Sequence, residues 1–104
     1  GLQHFTATVT VDKGKATLVL AGDADHVSLP HLRAKLQEVI DAQPSTLVIR
    51  AKDLQRVTPA AIRALIFAKQ KLSTDAEVQI AGASQAVKDA LNATEFGESV
   101  TFVG

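Results

Sequence analysis

The stretch of sequence that decides the fold is Asp53-Leu54-Gln55-Arg56-Val57-Thr58-Pro59-Ala60-Ala61-Ile62-Arg63-Ala64-Leu65. It contains a strong helix start, because a threonine hydroxyl can cap a helix N-terminus and proline is favoured at the first helical position. The helix that begins at Thr58-Pro59 is predicted to run to about residue 72. Residues 53–57, just before it, are predicted to be a connection.

On the N-terminal side of this helix, the spacing of apolar residues is first that of β-strands and then that of a helix. Residues 5–11 alternate between apolar residues and threonine, and residues 16–21 are almost continuously apolar. With Gly14 between them, the two segments are predicted to form an antiparallel hairpin. Ser28 is predicted to cap a helix that ends near residue 42, before Pro44, and residues 46–49 read as a short buried strand.

On the C-terminal side the same alternation of strand and helix continues. Residues 77–81 read as a strand, Ser84 as the cap of a short helix that carries Leu91, and residues 100–103 as a final strand after Gly97. The order β-β-α-β-α-β-α-β predicts an α/β fold, with a single mixed five-stranded sheet and about three helices packed on it. A chain of 104 residues has room for one core, so residues 1–104 are predicted to be one domain.

Composition excludes several functions. The chain has 11 basic and 11 acidic residues and no net charge, whereas nucleic acids and anionic membranes usually require a basic excess. It has no cysteine, which excludes disulfides, thiolate catalysis and cysteine zinc sites. No apolar run approaches the length of a membrane span. These features predict a cytoplasmic protein with neither a nucleic-acid partner nor direct membrane insertion.

Catalytic motifs are missing from the sequence. There is no Walker-type loop and no Gly-x-Ser-x-Gly elbow, so we expect no enzyme, no catalytic residue and no cofactor. Asp23, Asp25 and His26 share one loop, which a metal ion could use. The favoured interpretation is a solvated turn beside a helix N-terminus, where carboxylates are stabilised, because a metal site needs more converging ligands.

The outer face of the second helix is a candidate docking surface. A helical wheel turns Ile62, Leu65, Ile66 and Leu72 towards the sheet and turns the other face away from it, namely Ala60, Arg63, Ala64 and Phe67. Small residues beside one aromatic and one arginine suit an interface. The alternative, which the pattern leaves open, is that Phe67 packs under a neighbouring helix and Arg63 is simply solvated.

Three segments of the sequence are similar to the motifs of one protein family. Residues 20–25 are similar to the motif Leu-x-Gly-Glu-Leu-Asp, and residues 53–65 to Asp-Leu-x-x-Val-Asp-Ser-Ser-Gly-Leu-x-x-Leu. Residues 82–91 are similar to Gly-x-Ser-x-x-Val-x-x-x-Leu. By their order and spacing, the chain resembles STAS domains, the anti-sigma factor antagonist family, from about residue 5 to residue 103.

This resemblance implies a non-enzymatic regulatory module. In the family, a serine before the second helix is phosphorylated by a partner kinase, and the unmodified domain binds a protein such as an anti-sigma factor. Here the corresponding positions are occupied by Thr58, Pro59, Ala60 and Ala61, with Pro59 at the phosphoacceptor position. The usual switch is therefore expected to be absent, which leaves a constitutive binder or a signalling scaffold, unless Thr58 accepts the phosphate instead. The expected partner-binding residues are Asp23, Asp25, Ala60, Arg63, Ala64 and Phe67.

Two other functions remain open from the resemblance and the loops. One is a cytoplasmic STAS subunit or domain of a lipid or anion transporter. The other is a small-ligand sensor that uses residues 23–26 and the Thr58 loop. Family members usually continue into a further helix after the fifth strand, so either this helix is missing here or the domain belongs to a longer protein.

Overall fold

A computed structural model describes residues 4–104, and residues 1–3 of the predicted domain lie outside that range. Five strands form one sheet in the order β1-β2-β3-β4-β5. They are β1 (Thr6–Asp12), β2 (Lys15–Ala24), β3 (Thr46–Val57), β4 (Glu77–Ala81) and β5 (Thr101–Val103). The helices are α1 (Leu29–Ala42), α2 (Pro59–Lys71), α3 (Gln85–Asn92) and α4 (Glu95–Glu98). The predicted mixed α/β fold is confirmed, with the single-turn helix α4 added around Gly97.

The predicted hairpin joins β1 and β2. These strands pair antiparallel from Thr6 opposite Ala21 to Asp12 opposite Lys15. The two residues of the turn, Lys13 and Gly14, have φ values of 50° and 81°. Two consecutive positive φ angles characterise a type I′ turn, whose twist matches that of the flanking strands. The turn therefore fixes the hairpin register.

The second and third strands are longer than the sequence predicted. The sequence predicted that β2 ends near residue 21 and that residues 53–57 form a connection. Instead, β2 extends to Ala24 and β3 extends to Val57. Ala24 and Val57 are partners in the parallel pairing of these strands. The prediction for residues 53–57 is wrong because Leu54 and Val57 are buried three residues apart, without strict alternation. Register shifts in the β2–β3 pairing, including one between Gly22 and Asp23, accommodate this spacing.

Gly22 allows β2 to continue past the start of β1. Its φ is +84°, and a Cβ at this position would collide with the backbone carbonyl of His4. Both the positive φ and the close approach of another backbone favour glycine. The strand therefore continues past Gly22, so that its last residues, Asp23 and Ala24, reach the helical starts that form the candidate site.

One face of the sheet carries the core. Leu18, Leu20, Ile49 and Ile80 are buried on it, together with Leu32, Leu36, Leu65 and Val87 from the helices. The strands β2, β3, β4 and β5 are neighbours in parallel, and helices connect them in sequence. Right-handed crossovers that advance in one direction place their helices on the same face. The opposite face is open, with Thr8, Val19 and Arg50 exposed on it.

Candidate functional site

The candidate site lies where β2 and β3 end and where α1 and α2 begin. The backbone N–H of Thr58 donates a hydrogen bond to the Ala24 carbonyl at 3.0 Å. This bond joins the last residue of β2 to the first residue after β3, which is 34 residues further along the chain. The two regions singled out from the sequence, residues 20–25 and 53–65, therefore meet at one edge of the sheet.

Thr58 is the N-cap of α2, as predicted. Its Oγ1 accepts a hydrogen bond from the Ala61 N–H at 3.4 Å and donates one to the Ala24 carbonyl at 3.1 Å. Its backbone is extended, with φ −85° and ψ 162°, which is the conformation expected of an N-cap. The hydroxyl thus satisfies the first turn of the helix and also fixes that turn to the end of β2.

The three residues after Thr58 differ in exposure. Pro59 occupies the first turn of α2 and is exposed, Ala60 is half-buried, and Ala61 is fully buried at 0% exposure. Because Pro59 has no hydroxyl, it offers no group for phosphate transfer. A side chain at position 59 faces solvent, whereas a larger residue at position 61 would enter the core.

The start of α1 is organised by Asp25, which corrects the prediction that Ser28 caps this helix. Ser28 has helical dihedral angles and makes no side-chain capping bond. The Asp25 Oδ1 accepts hydrogen bonds from the N–H groups of Val27 and Ser28, both at 3.1 Å. The Ser28 hydroxyl shares its single proton between the Asp23 carbonyl at 2.9 Å and Asp25 Oδ1 at 3.1 Å. An aspartate three residues earlier therefore replaces the expected serine cap.

These contacts act on the charge of Asp25. The Ser28 N–H is the largest influence and lowers the pKa of the Asp25 carboxyl below its usual value of 3.8. Partial desolvation opposes this effect, while the Ser28 hydroxyl, the Val27 N–H and the nearby His26 reinforce it. All three hydrogen bonds stabilise the carboxylate form. The turn consequently carries a fixed negative charge at neutral pH.

Asp23 and Asp25 take different positions in the loop. Asp23 is buried at 9% exposure, whereas Asp25 is half-buried and His26 is exposed. Both aspartates line an open cavity of about 820 Å³, together with Ser28, His31 and the beginning of β1. Thr58 does not line this cavity. Residues 23–26 and the Thr58 loop, which the sequence suggested as a joint site for a small ligand, therefore do not enclose a common cavity. Within residues 4–104, no group of three or more potential metal ligands converges.

Ala64 is placed differently from the helical-wheel prediction, which turned it away from the core. It is buried at 9% exposure, while Arg63 is exposed and Phe67 is 56% exposed. The wheel treated the sheet as the only covered surface, but α1 also packs against α2 and covers the side of the helix that carries Ala64. Of the predicted outer residues, Arg63 and Phe67 remain accessible and Ala60 remains partly so.

Phe67 does not pack under a neighbouring helix. The Lys71 Nζ lies 5.1 Å from the centroid of its ring, which is a cation–π arrangement. Beside Phe67 runs a groove of about 430 Å³, which we call the α1–α2 groove. Its lining residues are Arg33, Leu36, Gln37, Ile40, Ala60, Arg63, Ala64, Phe67 and Ala68.

The contribution of α1 to this groove was missed by the sequence analysis. Arg33, Leu36, Gln37 and Ile40 follow the spacing of one helical face. The sequence pattern of α1 predicted a helix, but none of these four residues was assigned to a docking surface. Plotting the α1 face that borders Leu36 would have revealed Arg33 next to an apolar edge.

Across the described residues, no helix combines the length and the apolar character needed to span a bilayer.

Comparisons with known proteins agree with this fold. A family model described as "Mlab, STAS domain" matches residues 7–103. The structure of an anti-sigma factor antagonist from Mycobacterium paratuberculosis is similar at 18% identity and a TM-score of 0.84, covering 95% of this chain and 85% of that one. No curated protein matches the sequence.

Two further solved structures share the architecture. The anti-sigma factor antagonist SpoIIAA in its unphosphorylated form is 14% identical, with a TM-score of 0.75 and coverage of 97% of this chain and 89% of that one. The Bacillus cell fate determinant SpoIIAA in its phosphorylated form is also 14% identical, with a TM-score of 0.70 and coverage of 97% and 92%. At such low identity, these similarities establish the shared fold.

Proposed function

The chain belongs to the STAS domain family, and from that premise we propose that it is a non-enzymatic regulatory module that binds a protein partner of the anti-sigma factor class. The proposed contact surface comprises the turn from Thr58 to Ala61, the adjoining Asp23–Asp25 loop, and the accessible residues of α2. Structural neighbours that are anti-sigma factor antagonists support this choice of partner.

The observation that carries the proposal is the exposed proline at position 59. By resemblance, this is the position of the phosphoacceptor serine, and one structural neighbour was solved in a phosphorylated form. In this chain the position is exposed and has no hydroxyl. We therefore propose a module that keeps the interaction surface and lacks the serine switch, so that it remains competent to bind its partner when the kinase is active.

Thr58 is the remaining hydroxyl in the turn, and its environment disfavours phosphate transfer. Its Oγ1 already donates to the Ala24 carbonyl and accepts from the Ala61 N–H, and the residue is partly buried. Phosphorylation would replace the hydroxyl proton and break the bond to Ala24. It would also set new negative charge against that carbonyl oxygen. This cost supports assigning Thr58 a structural role in the proposed mechanism.

The proposal is tested with a kinase-type anti-sigma factor from the same organism. After incubation with ATP, mass spectrometry of the peptide that contains residues 54–62 is expected to show no phosphate. Titration calorimetry with and without ATP is expected to give the same affinity. The variant Pro59→Ser is expected to become phosphorylated at position 59 and then to bind at least about tenfold more weakly, a change of about 1.4 kcal/mol.

Far-UV circular dichroism of the Pro59→Ser variant controls for folding, since serine is tolerated near a helix N-terminus. Phosphate on Thr58 in the native chain would overturn the assignment of a missing switch. Failure to bind any anti-sigma factor of that organism would overturn the proposed partner class. The cytoplasmic location and the transporter and ligand-sensor alternatives stay predictions of the sequence.

A further inference from the structure

The α1–α2 groove has an apolar floor between two helices. On α2, Ala60, Ala64 and Ala68 are spaced four residues apart and form a row of small side chains. On α1, Leu36 and Ile40 complete the floor. Small residues in a row leave room for another backbone to approach closely. The floor therefore has the form required by a helix that lays an apolar face into a groove.

The rim of the groove supplies an aromatic anchor. Phe5, Phe67, Phe96 and Phe102 all fall in the described part of the chain, and Phe67 alone is exposed, at 56%. It belongs to the row Arg63, Phe67 and Lys71. This row runs beside the alanine row on α2, because Arg63 and Phe67 directly precede Ala64 and Ala68 in the sequence. Aromatic residues and arginine are enriched at protein–protein interfaces.

The charge of the groove is one-sided. Arg33 and Arg63 line it, Lys71 lies over the Phe67 ring, and none of the lining residues within 4–104 is acidic. The sequence of α2 contains no aspartate or glutamate. Among the described residues, the one ion pair is Lys35 with Glu38, which leaves both groove arginines without a carboxylate within 4.0 Å. A chain with no net charge thus presents a local cationic groove.

We propose that the α1–α2 groove binds an acidic amphipathic helix of the partner protein. This inference rests on the proposed function and specifies the chemistry of the partner. Leucine-like residues of that helix occupy the floor beside Phe67, and its aspartate or glutamate residues face Arg33 and Arg63. A second copy of this chain is the wrong occupant, because its own cationic groove would be repelled. Nucleic acid fits poorly because the floor is narrow and apolar, with no stacked aromatic platform.

The positions of the arginines give the bound helix a polarity. Arg33 and Arg63 are each the fifth residue of their helices, α1 and α2, so both lie towards the helix N-termini and the Thr58 turn. Helices of 14 and 13 residues are about 20 Å long at 1.5 Å per residue, which accommodates about three turns of a bound helix. The acidic residues of the partner are therefore expected at the end that lies nearest to the turn.

Three synthetic peptides test the inference on the full 104-residue chain. The first is a helix-forming peptide of about 14 residues with leucine at i, i+3, i+4 and i+7 and glutamate along both edges. The second replaces every glutamate by lysine, and the third scrambles the acidic sequence so that no apolar face remains. Fluorescence anisotropy is expected to show that the first binds at least about tenfold more tightly than the other two. Raising the ionic strength is expected to weaken its binding.

Variants locate the binding. The double variant Arg33→Glu/Arg63→Glu is expected to reverse the preference, so that the lysine peptide binds more tightly than the acidic one. Phe67→Ala is expected to weaken the acidic peptide by about tenfold. Arg50→Glu is the matched control, because Arg50 is exposed on the open face of the sheet, and it is expected to leave the affinity within about twofold.

Equal affinity for the acidic and lysine peptides, equal affinity for the scrambled peptide, or no binding at millimolar peptide would each overturn the inference. Unchanged affinity in the double arginine variant would do the same. The anti-sigma factor titration separates this failure from that of the proposed function. If that protein binds the native chain and the Arg33→Glu/Arg63→Glu variant equally well, the partner class stands and the groove is not its docking site.

Discussion

At the scale of single residues, Thr58 shows how one side chain can serve both the fold and the site. The residue before the helix was recognised from its sequence as an N-cap, because threonine followed by proline suits that position. Its second contact, the donation to the Ala24 carbonyl, depends on a strand 34 residues away and could not be read locally. The role of Thr58 as a tie between β2 and α2 therefore emerges only from the folded chain.

Removing the Thr58 hydroxyl is expected to destabilise the domain. Thr58→Ala loses the bond to the Ala61 N–H and the bond to the Ala24 carbonyl, and N-cap substitutions of this kind cost about 1 kcal/mol. Urea unfolding followed by far-UV circular dichroism measures the change, since the chain has no tryptophan or tyrosine to report by fluorescence. Thr58→Ser retains the hydroxyl and is expected to preserve most of the stability. Equal loss in both variants would argue against the capping role.

Asp25 is expected to make the stability depend on pH in the acidic range. Its folded-state pKa lies below the usual 3.8, so its contribution is complete above that value and is lost as the pH falls through the lower folded-state pKa. Asp25→Asn keeps an oxygen that can accept the N–H bonds of Val27 and Ser28, but it carries no charge. The variant is expected to be less stable than the native chain at neutral pH.

Urea unfolding of both proteins at a series of pH values measures the effect of Asp25. The stability difference between them is expected to narrow as the pH is lowered from about 4. A difference that stays constant down to pH 2 would mean that the Asp25 charge contributes nothing to folding.

The sequence predicted that this carboxylate lies near a helix N-terminus, but it predicted Ser28 as the cap because a serine directly before a helix fits the common pattern.

At the scale of elements, α2 presents two rows of side chains with opposite environments. The row that includes Ala64 faces α1, and the row that includes Phe67 faces solvent. The sequence could predict the helix and the side that covers the sheet from its apolar spacing. It could not show that α1 covers a second side of α2. Contact between these two helices depends on the distance between them on the sheet, which the sequence of α2 does not contain.

A pair of aspartate substitutions distinguishes these rows. Phe67→Asp is expected to change the unfolding free energy by less than about 1 kcal/mol, because the lost ring contact with Lys71 is replaced by an ion pair four residues apart on the helix. Ala64→Asp places a larger, polar side chain where α2 packs against α1 and is expected to cost about 2 kcal/mol or more. Urea unfolding by circular dichroism compares the two, and a larger loss for Phe67→Asp would mean that the rows are assigned the wrong way round.

The third strand shows a different limit of local prediction. Residues 46–49 were recognised as a strand because they are continuously apolar and buried, whereas residues 53–57 contain Asp53 and Arg56 between buried positions. Alternation fails there because the pairing with β2 is irregular. A bulge is set by the neighbouring strand, so its effect on the burial pattern is visible only after the two strands are paired.

At the scale of the whole molecule, the order of elements was predictable and the covered face was not. Alternating strands and helices imply parallel pairing, and the hairpin turn around Gly14 fixes the antiparallel pairing of β1 with β2. The sequence motifs at residues 20–25 and 53–65 lie together because each includes the carboxyl end of one of two neighbouring parallel strands, β2 and β3. Which residues of the helices remain exposed depends on the packing of the complete layer.

The single core leads to a prediction for the whole chain. The buried apolar side chains of the described strands and helices form one cluster that joins the sheet to α1, α2, α3 and α4. A domain of this size with one core is expected to unfold in a single transition, with a urea m-value between about 1 and 3 kcal/mol per molar. Far-UV circular dichroism and the methyl NMR signals of core leucines are expected to give the same midpoint. Separate midpoints would mean that the helical layer and the sheet unfold independently.

Two consecutive carbonyls at the end of β2 carry an evolutionary consequence. The Asp23 carbonyl accepts from the Asp25 N–H and the Ser28 hydroxyl, and the Ala24 carbonyl accepts from the N–H and the hydroxyl of Thr58. None of these bonds uses the side chain at position 59. Under the proposed function, mutation at that position would add or remove a regulatory input while the architecture is inherited unchanged. Descendants of one ancestral domain can diverge in how they are controlled without first acquiring compensating changes in their interior.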